Sequence, residues 1–298
     1  MFKNRTPRMC RALALACALL AALLPSTLRA TSAAPADDKL KAEDVVAKHL
    51  NAIGTEAARA DLKSLVVVGT SRAVFKARND AGAINGRIAL GSEGNKVLMA
   101  MSFPSPEYIG EKFGYDGKKF TVGYLKPGIR SILGSFILMH GEVFKEGLMG
   151  GSLSSAWPLL NLAARKAKLE YAGLDKIDNQ PVYRLKYQPK GGSDLEISLY
   201  FDASTFRHVR TQYSRVTGAR LSGGGIDAQA SQKASRYKMT EDFSDFKTEG
   251  GLTLPHTYKL LLEMETTTGN SASKWEMTFD QFALNEDIDD NTFNVESE

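Results

Sequence analysis

The sequence predicts an α+β fold that is mainly β: a single curled antiparallel sheet with an N-terminal helix and inserted helices. Three observations predict it. Apolar and polar residues alternate through twelve short segments joined by Gly, Pro and Asp-Gly turns, the pattern of strands with one buried face. Between residues 129 and 165 the apolar spacing changes to three and four, which is helical. The opening residues form a basic, then apolar, leader that belongs to targeting and not to the fold.

In the leader, Lys3, Arg5, Arg8 and Arg11 precede an apolar run, 12–24, that is too short to span a bilayer comfortably. Pro25 and small residues around Ala30, Ala33 and Ala36 follow, each a suitable cleavage point. The expected division is a signal peptide over 1–36, cleaved near 30–36, and one domain over 37–298. Cys17 lacks the aliphatic residue three places upstream that a lipid-anchor site requires, since Ala14 stands there. Of 38 basic residues, Lys3, Arg5, Arg8, Arg11 and Arg29 lie in the leader, leaving 33 against 34 acidic residues. The net positive charge therefore belongs to the leader, and nucleic acid is not an implied partner. Both cysteines, Cys10 and Cys17, leave with it, so the remaining domain has neither a disulfide nor a thiolate metal site. No later run reaches the roughly 18 apolar residues of a membrane-spanning helix.

After the leader, 42–53 reads as a helix with Val45, Val46, His49, Leu50 and Ile53 on one face and Gly54 ending it. Residues 56–62 make a weaker helical turn. Strands are expected over 65–72, 83–90, 96–103, 108–115 and 119–124. The joints carry turn chemistry: Asn79-Asp-Ala-Gly82, Glu93-Gly-Asn95, Pro104-Ser-Pro106 and Asp116-Gly117. Strands resume over 167–174, 182–188, 195–201 and 206–216. Residues 218–230, rich in Gly and Ser, read as a mobile loop. Three longer strands close the chain over 235–246, 252–263 and 274–283, followed by a solvated acidic tail. Asp287, Asp289, Asn291 and Glu298 echo a calcium loop, but Thr292 stands where Gly is needed.

The insert carries the functional question. Ile129, Ile132, Leu133, Phe136, Ile137, His140, Val143, Phe144 and Leu148 form one apolar stripe on a helix or pair of helices. Gly134, Gly141 and Gly147 weaken it by about 1 kcal/mol each relative to Ala. A second amphipathic piece, 155–165, contains Trp157 and follows the Gly150-Gly151 hinge. Most apolar stripes are core. A sheet of twelve strands curls, however, and its concave face needs a cover that only this segment is apolar enough to supply. The stripe therefore reads as a glycine-loosened flap.

Catalytic motifs are absent. There is no Gly-x-Ser-x-Gly, His-Glu-x-x-His, phosphate-cradling loop or dinucleotide fingerprint. His49 and His140 sit on apolar faces, where a core histidine is the common case. His208 shares its expected strand face with Phe206 and Arg210, and His256 follows Pro255. The histidine spacing proposes no metal site and nothing calls for a cofactor.

The stretches Phe113-Gly-Tyr-Asp-Gly-Lys-Lys-Phe120, Leu199-Tyr-Phe-Asp-Ala-Ser-Thr-Phe-Arg-His-Val-Arg210, Asp245-Phe-Lys-Thr-Glu-Gly-Gly-Leu-Thr-Leu-Pro255 and the ending from Phe282 to Phe293 resemble, in that order, the LolA/LolB-type outer-membrane lipoprotein-sorting carriers. The resemblance spans nearly the whole chain after the leader. It implies an unclosed half-barrel whose apolar concavity holds acyl chains under a helical lid. On that reading Ile132, Leu133, Phe136, Ile137, His140, Val143, Phe144, Leu148 and Trp157 form the apolar lid, and Arg72 is the candidate for the family's lid-locking arginine. The implied protein is a periplasmic, non-enzymatic carrier of a lipid or lipoprotein acyl chain. Its other expected partners are envelope membrane proteins, with peripheral membrane contact at most. The alternatives are an envelope enzyme using His208, Arg210 or His140, and a structural or interaction protein of the envelope.

Overall fold

The computed structural model describes residues 40–77, 80–217, 235–266 and 269–295. The leader and the 218–230 loop lie outside these. Among the described residues, α1 (Ala42–Ile53) and α2 (Glu56–Asp61) come first. Then come β1 (Ser64–Ala77), β2 (Asp80–Glu93), β3 (Lys96–Ser102), β4 (Gly110–Tyr115) and β5 (Phe120–Val122). The insert contains α3 (Ile132–Met139), α4 (Glu142–Lys145), two 3₁₀ turns at Gly151–Leu153 and Pro158–Asn161, and α5 (Leu162–Arg165). It is followed by β6 (Lys168–Ile177), β7 (Gln180–Gln188), β8 (Glu196–Asp202), β9 (His208–Thr217), β10 (Ser235–Glu249), β11 (Leu252–Thr266) and β12 (Gly269–Leu284). All twelve expected strands form. Asp80 to Gly82, expected in a turn, extend β2 by pairing with Phe75 to Ala77.

The strands form one antiparallel sheet that is not closed, in the order β5-β4-β3-β2-β1-β12-β11-β10-β9-β8-β7-β6. The meander starts in the middle, where β1 pairs with both β2 and β12. The chain steps outward to the edge at β5, and the insert then carries it to the opposite edge at β6. From there it steps back to β12, beside its own start. The insert is therefore the link between the two edges.

Alternation gives the sheet an apolar inner face. On β3, Val97, Met99 and Met101 are buried while their neighbours are less so. On β11, Tyr258, Leu260 and Leu262 do the same. The insert and α1 cover this face. In α1, Val45, Val46, His49 and Ile53 are buried as the spacing predicts, against β6, β11 and the insert. The Asp44 carboxylate accepts the Lys41 backbone N–H at the start of α1, one half of a capping box. At its end a Cβ on Gly54 would lie 2.8 Å from the Gly251 carbonyl.

Within the insert, the predicted stripe splits into two helices at His140 and Gly141. Ser131 caps α3, its hydroxyl accepting the Gly134 N–H at 2.7 Å. Gly147 is required by geometry. Its φ is +72°, and a Cβ there would stand 2.1 Å from the Ala156 carbonyl oxygen, far inside contact. Arg165 ties the insert to itself by donating to the Lys145 and Ala156 carbonyls at 3.0 and 3.1 Å.

Two joints differ from expectation. The β4–β5 connection spans four residues, 116–119, and is wider than the Asp116-Gly117 pair alone, because the Asp116 carboxylate accepts the N–H groups of Lys118 and Lys119. The acidic tail is anchored as well as solvated. A 3₁₀ turn, Asp290–Phe293, delivers a fully buried Phe293 ring, and the Val295 N–H donates to Thr121 Oγ1 at 3.0 Å. One buried aromatic side chain outweighs the polar residues around it. Phe293→Ala should cost about 3 kcal/mol, measured as a lower denaturant midpoint with an unchanged slope. A cost under about 0.5 kcal/mol would mean that the ring is a passive cover.

Candidate functional site

The insert lies across the inner face from edge to edge. Phe144 packs between Phe113 of β4 and Phe120 of β5, with ring centroids 5.5 and 5.3 Å away. Phe136 reaches Tyr237 of β10 at 6.4 Å. Trp157 stacks on His208 of β9 at 4.7 Å. Leu133, Phe136, Ile137, His140, Val143, Phe144, Leu148 and Trp157 are all buried. Ile132 is not. It is 50% exposed and shares the outer side of α3 with Leu138 and Met139. The apolar surface of α3 is wider than the sheet can cover, so Ile132 does not line the covered face.

Polar side chains of the sheet and α1 hold the insert at three buried points. At the centre, Glu241 of β10 is wholly buried. Its Oε1 accepts the Gly150 N–H at 2.8 Å and the Tyr258 hydroxyl at 2.7 Å, and its Oε2 accepts the Tyr213 hydroxyl at 2.7 Å. The Tyr258 hydroxyl also lies 3.1 Å from Met149 Sδ. Gly150 has φ +81°, which turns its N–H toward the carboxylate at little cost for a glycine. Near the start of α3, Glu111 of β4 is hydrogen-bonded to Ser131 of the insert and accepts the Tyr108 hydroxyl at 2.8 Å, and Tyr108 in turn accepts the Trp275 indole N–H at 2.9 Å. At the third point His49 Nδ1 lies 3.0 Å from the Phe206 carbonyl. A carbonyl only accepts, so Nδ1 carries the proton and Nε2 accepts the Trp157 indole N–H at 3.1 Å. Burial pushes the carboxyls of Glu241 and Glu111 up to about 7 and the His49 imidazole down to about 4.

The sequence reading missed both glutamates, though it held a signal for them. Glu241 lies in register between Met239 and Phe243, and Glu111 two residues before Phe113, all on the inner face. A lone carboxylate at an apolar position of an alternating strand marks a buried polar contact.

Other expected groups are placed elsewhere. Arg72 lies on the outer face of β1, about half exposed, and pairs with Glu276 of β12 at 3.4 Å. Ser71 and Ala73 on either side of it are buried, so alternation turns Arg72 away from the insert. The central fastening is a carboxylate, Glu241. A register shift where β8 meets β9, between Tyr200 and Phe201, also breaks the expected face-sharing of His208 and Arg210. His208 turns inward, with Nε2 3.0 Å from Thr211 Oγ1. Arg210 faces outward and pairs with Asp242 at 2.5 Å. Burial holds His208 well below its ordinary pKa, a neutral ring beneath Trp157. His140 is brought beside Glu142 and Asp194, with Nδ1 3.8 and 3.1 Å from their carboxylate oxygens, a grouping that sequence spacing did not propose.

The covered face is close-packed where the insert crosses β2 and β3. Between Leu90 and Met99 on the sheet and Met149 and Leu153 on the insert remains a cavity of about 10 Å³, room for about one water. A larger open cleft of about 440 Å³ runs beside the β6 edge, lined by Leu169, Tyr187, Pro189, Leu195 and Ile197 among charged neighbours. Its Tyr187 donates to Glu146 of the insert at 2.7 Å. No helix among the described residues is long and apolar enough to cross a membrane.

The buried carboxylate makes the central contact sensitive to pH. Glu241 faces the Tyr213 and Tyr258 hydroxyls, the Gly150 N–H and Met149, with the Asp242 charge adjacent on β10. Its folded pKa of about 7 lies above the ordinary 4.5, so the stability it contributes is present below 4.5 and is lost as pH rises through 7. His49, depressed to about 4, acts oppositely, losing its contribution as pH falls through 4. The difference between parent and Glu241→Gln, which mimics the protonated carboxyl, isolates Glu241. The deficit of the variant in Tm should be larger at pH 5 than at pH 8 by roughly 5 °C, each kcal/mol being about 2–4 °C in a chain of this size. A deficit independent of pH would contradict this.

No family profile and no curated protein matches the chain. Among solved structures it is similar to a LolA superfamily protein from Nitrosomonas europaea, 12% identical over 86% of this chain and 98% of that one, with a TM-score of 0.43. It is also similar to an outer membrane lipoprotein-sorting protein domain from Vibrio parahaemolyticus, 12% identical over 84% and 97%, with a TM-score of 0.41. A DUF1329 family protein from Desulfovibrio piger is 9% identical over 85% and 96%, with a TM-score of 0.39. The architecture of this chain is mainly β, one open antiparallel sheet capped by helices.

Proposed function

We propose that this chain is a non-enzymatic carrier or sensor, exported to the periplasm, that holds an acyl chain of a lipid or lipoprotein between the inner face of the sheet and the helical insert. The observation that supports this reading most is the edge-to-edge path of the insert. It covers an apolar face along its length, yet its middle is fastened by hydrogen bonds at Glu241 and Trp157 and carries glycines at 147, 150 and 151. An apolar groove needs no catalytic group, and none of the common catalytic motifs is present.

Magnitudes decide how the cover would move. Exposing Leu133, Phe136, Ile137, Val143, Phe144, Leu148 and Trp157 fully to water would cost roughly 10–20 kcal/mol at about 1.5–3 kcal/mol each. A buried acyl chain contributes about 0.8 kcal/mol per methylene, so a chain of ~14 methylenes offsets only about 11 kcal/mol of this. The cargo therefore slides between insert and sheet, and the insert lifts as a layer with its apolar face resting on the acyl chain. Breaking the Gly150–Glu241 contact is the step that frees its centre. Loading and unloading are then contacts with envelope membrane proteins or a membrane surface.

Fixing the insert to the sheet tests the reading. Ser92 Oγ of β2 accepts the Ser155 N–H at 2.8 Å, which makes Ser92→Cys with Ser155→Cys the cross-link to build, in a chain expressed from Asp37 and so free of Cys10 and Cys17. Oxidised protein should take up a fluorescent fatty acid at least ten-fold more weakly than the same protein after reduction. Equal uptake in both states, with the cross-link verified by mass, would overturn the lid. Mass spectrometry of lipids extracted from the purified parent identifies the cargo class.

A further inference from the structure

We propose that His140, Glu142 and Asp194 form a binding site for one divalent transition-metal ion, with Zn²⁺ the favoured occupant. The three residues come from two separate parts of the fold. His140 ends α3 and Glu142 begins α4, both in the insert. Asp194 lies in the connection between β7 and β8. One ligand atom from each lies within 4.8 Å of the other two.

The histidine points to a ligand. Its side chain is 2% exposed, held by the Phe136 ring at 4.7 Å. Its Nδ1 is buried and carries no hydrogen bond. The atom faces Asp194 Oδ1 at 3.1 Å and Glu142 Oε1 at 3.8 Å, without the direction an N–H···O bond requires. A buried imidazole nitrogen without a hydrogen bond is costly, and an ion seated between this nitrogen and the two carboxylates would take up its lone pair.

The carboxylates are oriented by neighbours, as metal ligands commonly are. Arg215 donates to Asp194 Oδ2 at 2.8 Å and leaves Oδ1 toward the histidine. Ser193 donates to Glu142 Oε1 at 2.8 Å. One imidazole and two carboxylates suit Zn²⁺ and its borderline neighbours. Tetrahedral ligands at about 2.0–2.2 Å from the metal stand roughly 3.4 Å apart. Asp194 Oδ1, 3.1 Å from Nδ1, is already near that spacing, and Glu142, at 3.8 Å and with its side chain 26% exposed, reaches it by turning slightly inward. Solvent supplies the fourth position. The bound ion would tie the α3–α4 corner to the sheet side of the structure. That consequence, unlike the site itself, rests on the insert being the lid.

The test is titration of metal-stripped, ligand-free protein with ZnCl₂ at pH 7.5 in a non-chelating buffer, followed by calorimetry and thermal melting. The expected result is one ion per chain at micromolar affinity and a Tm raised by several degrees. His140→Gln, Glu142→Gln and Asp194→Asn should each weaken binding at least ten-fold, while His256→Gln, at another histidine beside a carboxylate (Glu249, 3.1 Å), should not. If His140→Gln fails to fold, the two partly exposed carboxylate variants carry the test. Absence of stoichiometric binding by the parent, or unchanged binding in both carboxylate variants, overturns the site. Neither result depends on acyl-chain binding, so failure here leaves the carrier reading to its own test.

Discussion

Everything else in this structure depends on covering one apolar face. The sheet buries one broad apolar face, most cleanly on β3 and β11, and an uncovered face of that size would cost more than the whole stability of an ordinary domain. The meander begins at the middle of the sheet and has to pass from one edge to the other to finish. The cover and the crossing are the same segment. A single piece of sequence therefore satisfies a topological need and a solvation need.

That segment is bonded to the sheet unevenly. Its ends continue into β5 and β6, while its middle is fastened through Glu241, the His49–Trp157 contact and ring packing. A buried carboxylate satisfied by two tyrosine hydroxyls and a glycine N–H is a directional contact whose loss leaves a costly unpaired group. It fixes the resting position of the insert more narrowly than apolar packing alone, which tolerates sliding. Glu241, Tyr213 and Tyr258 all belong to the sheet, so in the proposed opening Gly150 is the group that would leave.

Most of the fold was legible in the sequence because it rests on period. Alternation over β3 and β11, and the spacing of Val45, Val46, His49 and Ile53 in α1, located elements and faces directly. What was not legible comes from contacts between distant strands. The register shift where β8 meets β9 turned His208 inward and Arg210 outward, and period alone carries no notice of a bulge. The anchoring of Phe293 and the meeting of His140 with Asp194 likewise depend on elements far apart in the chain. Arg72 was singled out by its type and strand. Its neighbours Ser71 and Ala73, being small, hid which side faced inward.

The central claim is that cargo enters between the insert and the sheet and displaces the Gly150 contact. Hydrogen exchange of the backbone amides, with and without a saturating long-chain fatty acid, tests it most directly, because the Gly150 N–H is buried on Glu241 when the face is closed. The account predicts that ligand speeds exchange at least ten-fold around residues 147–151 while the amides of β10 and β11 remain protected. Saturating ligand with unchanged exchange at 147–151 would contradict it.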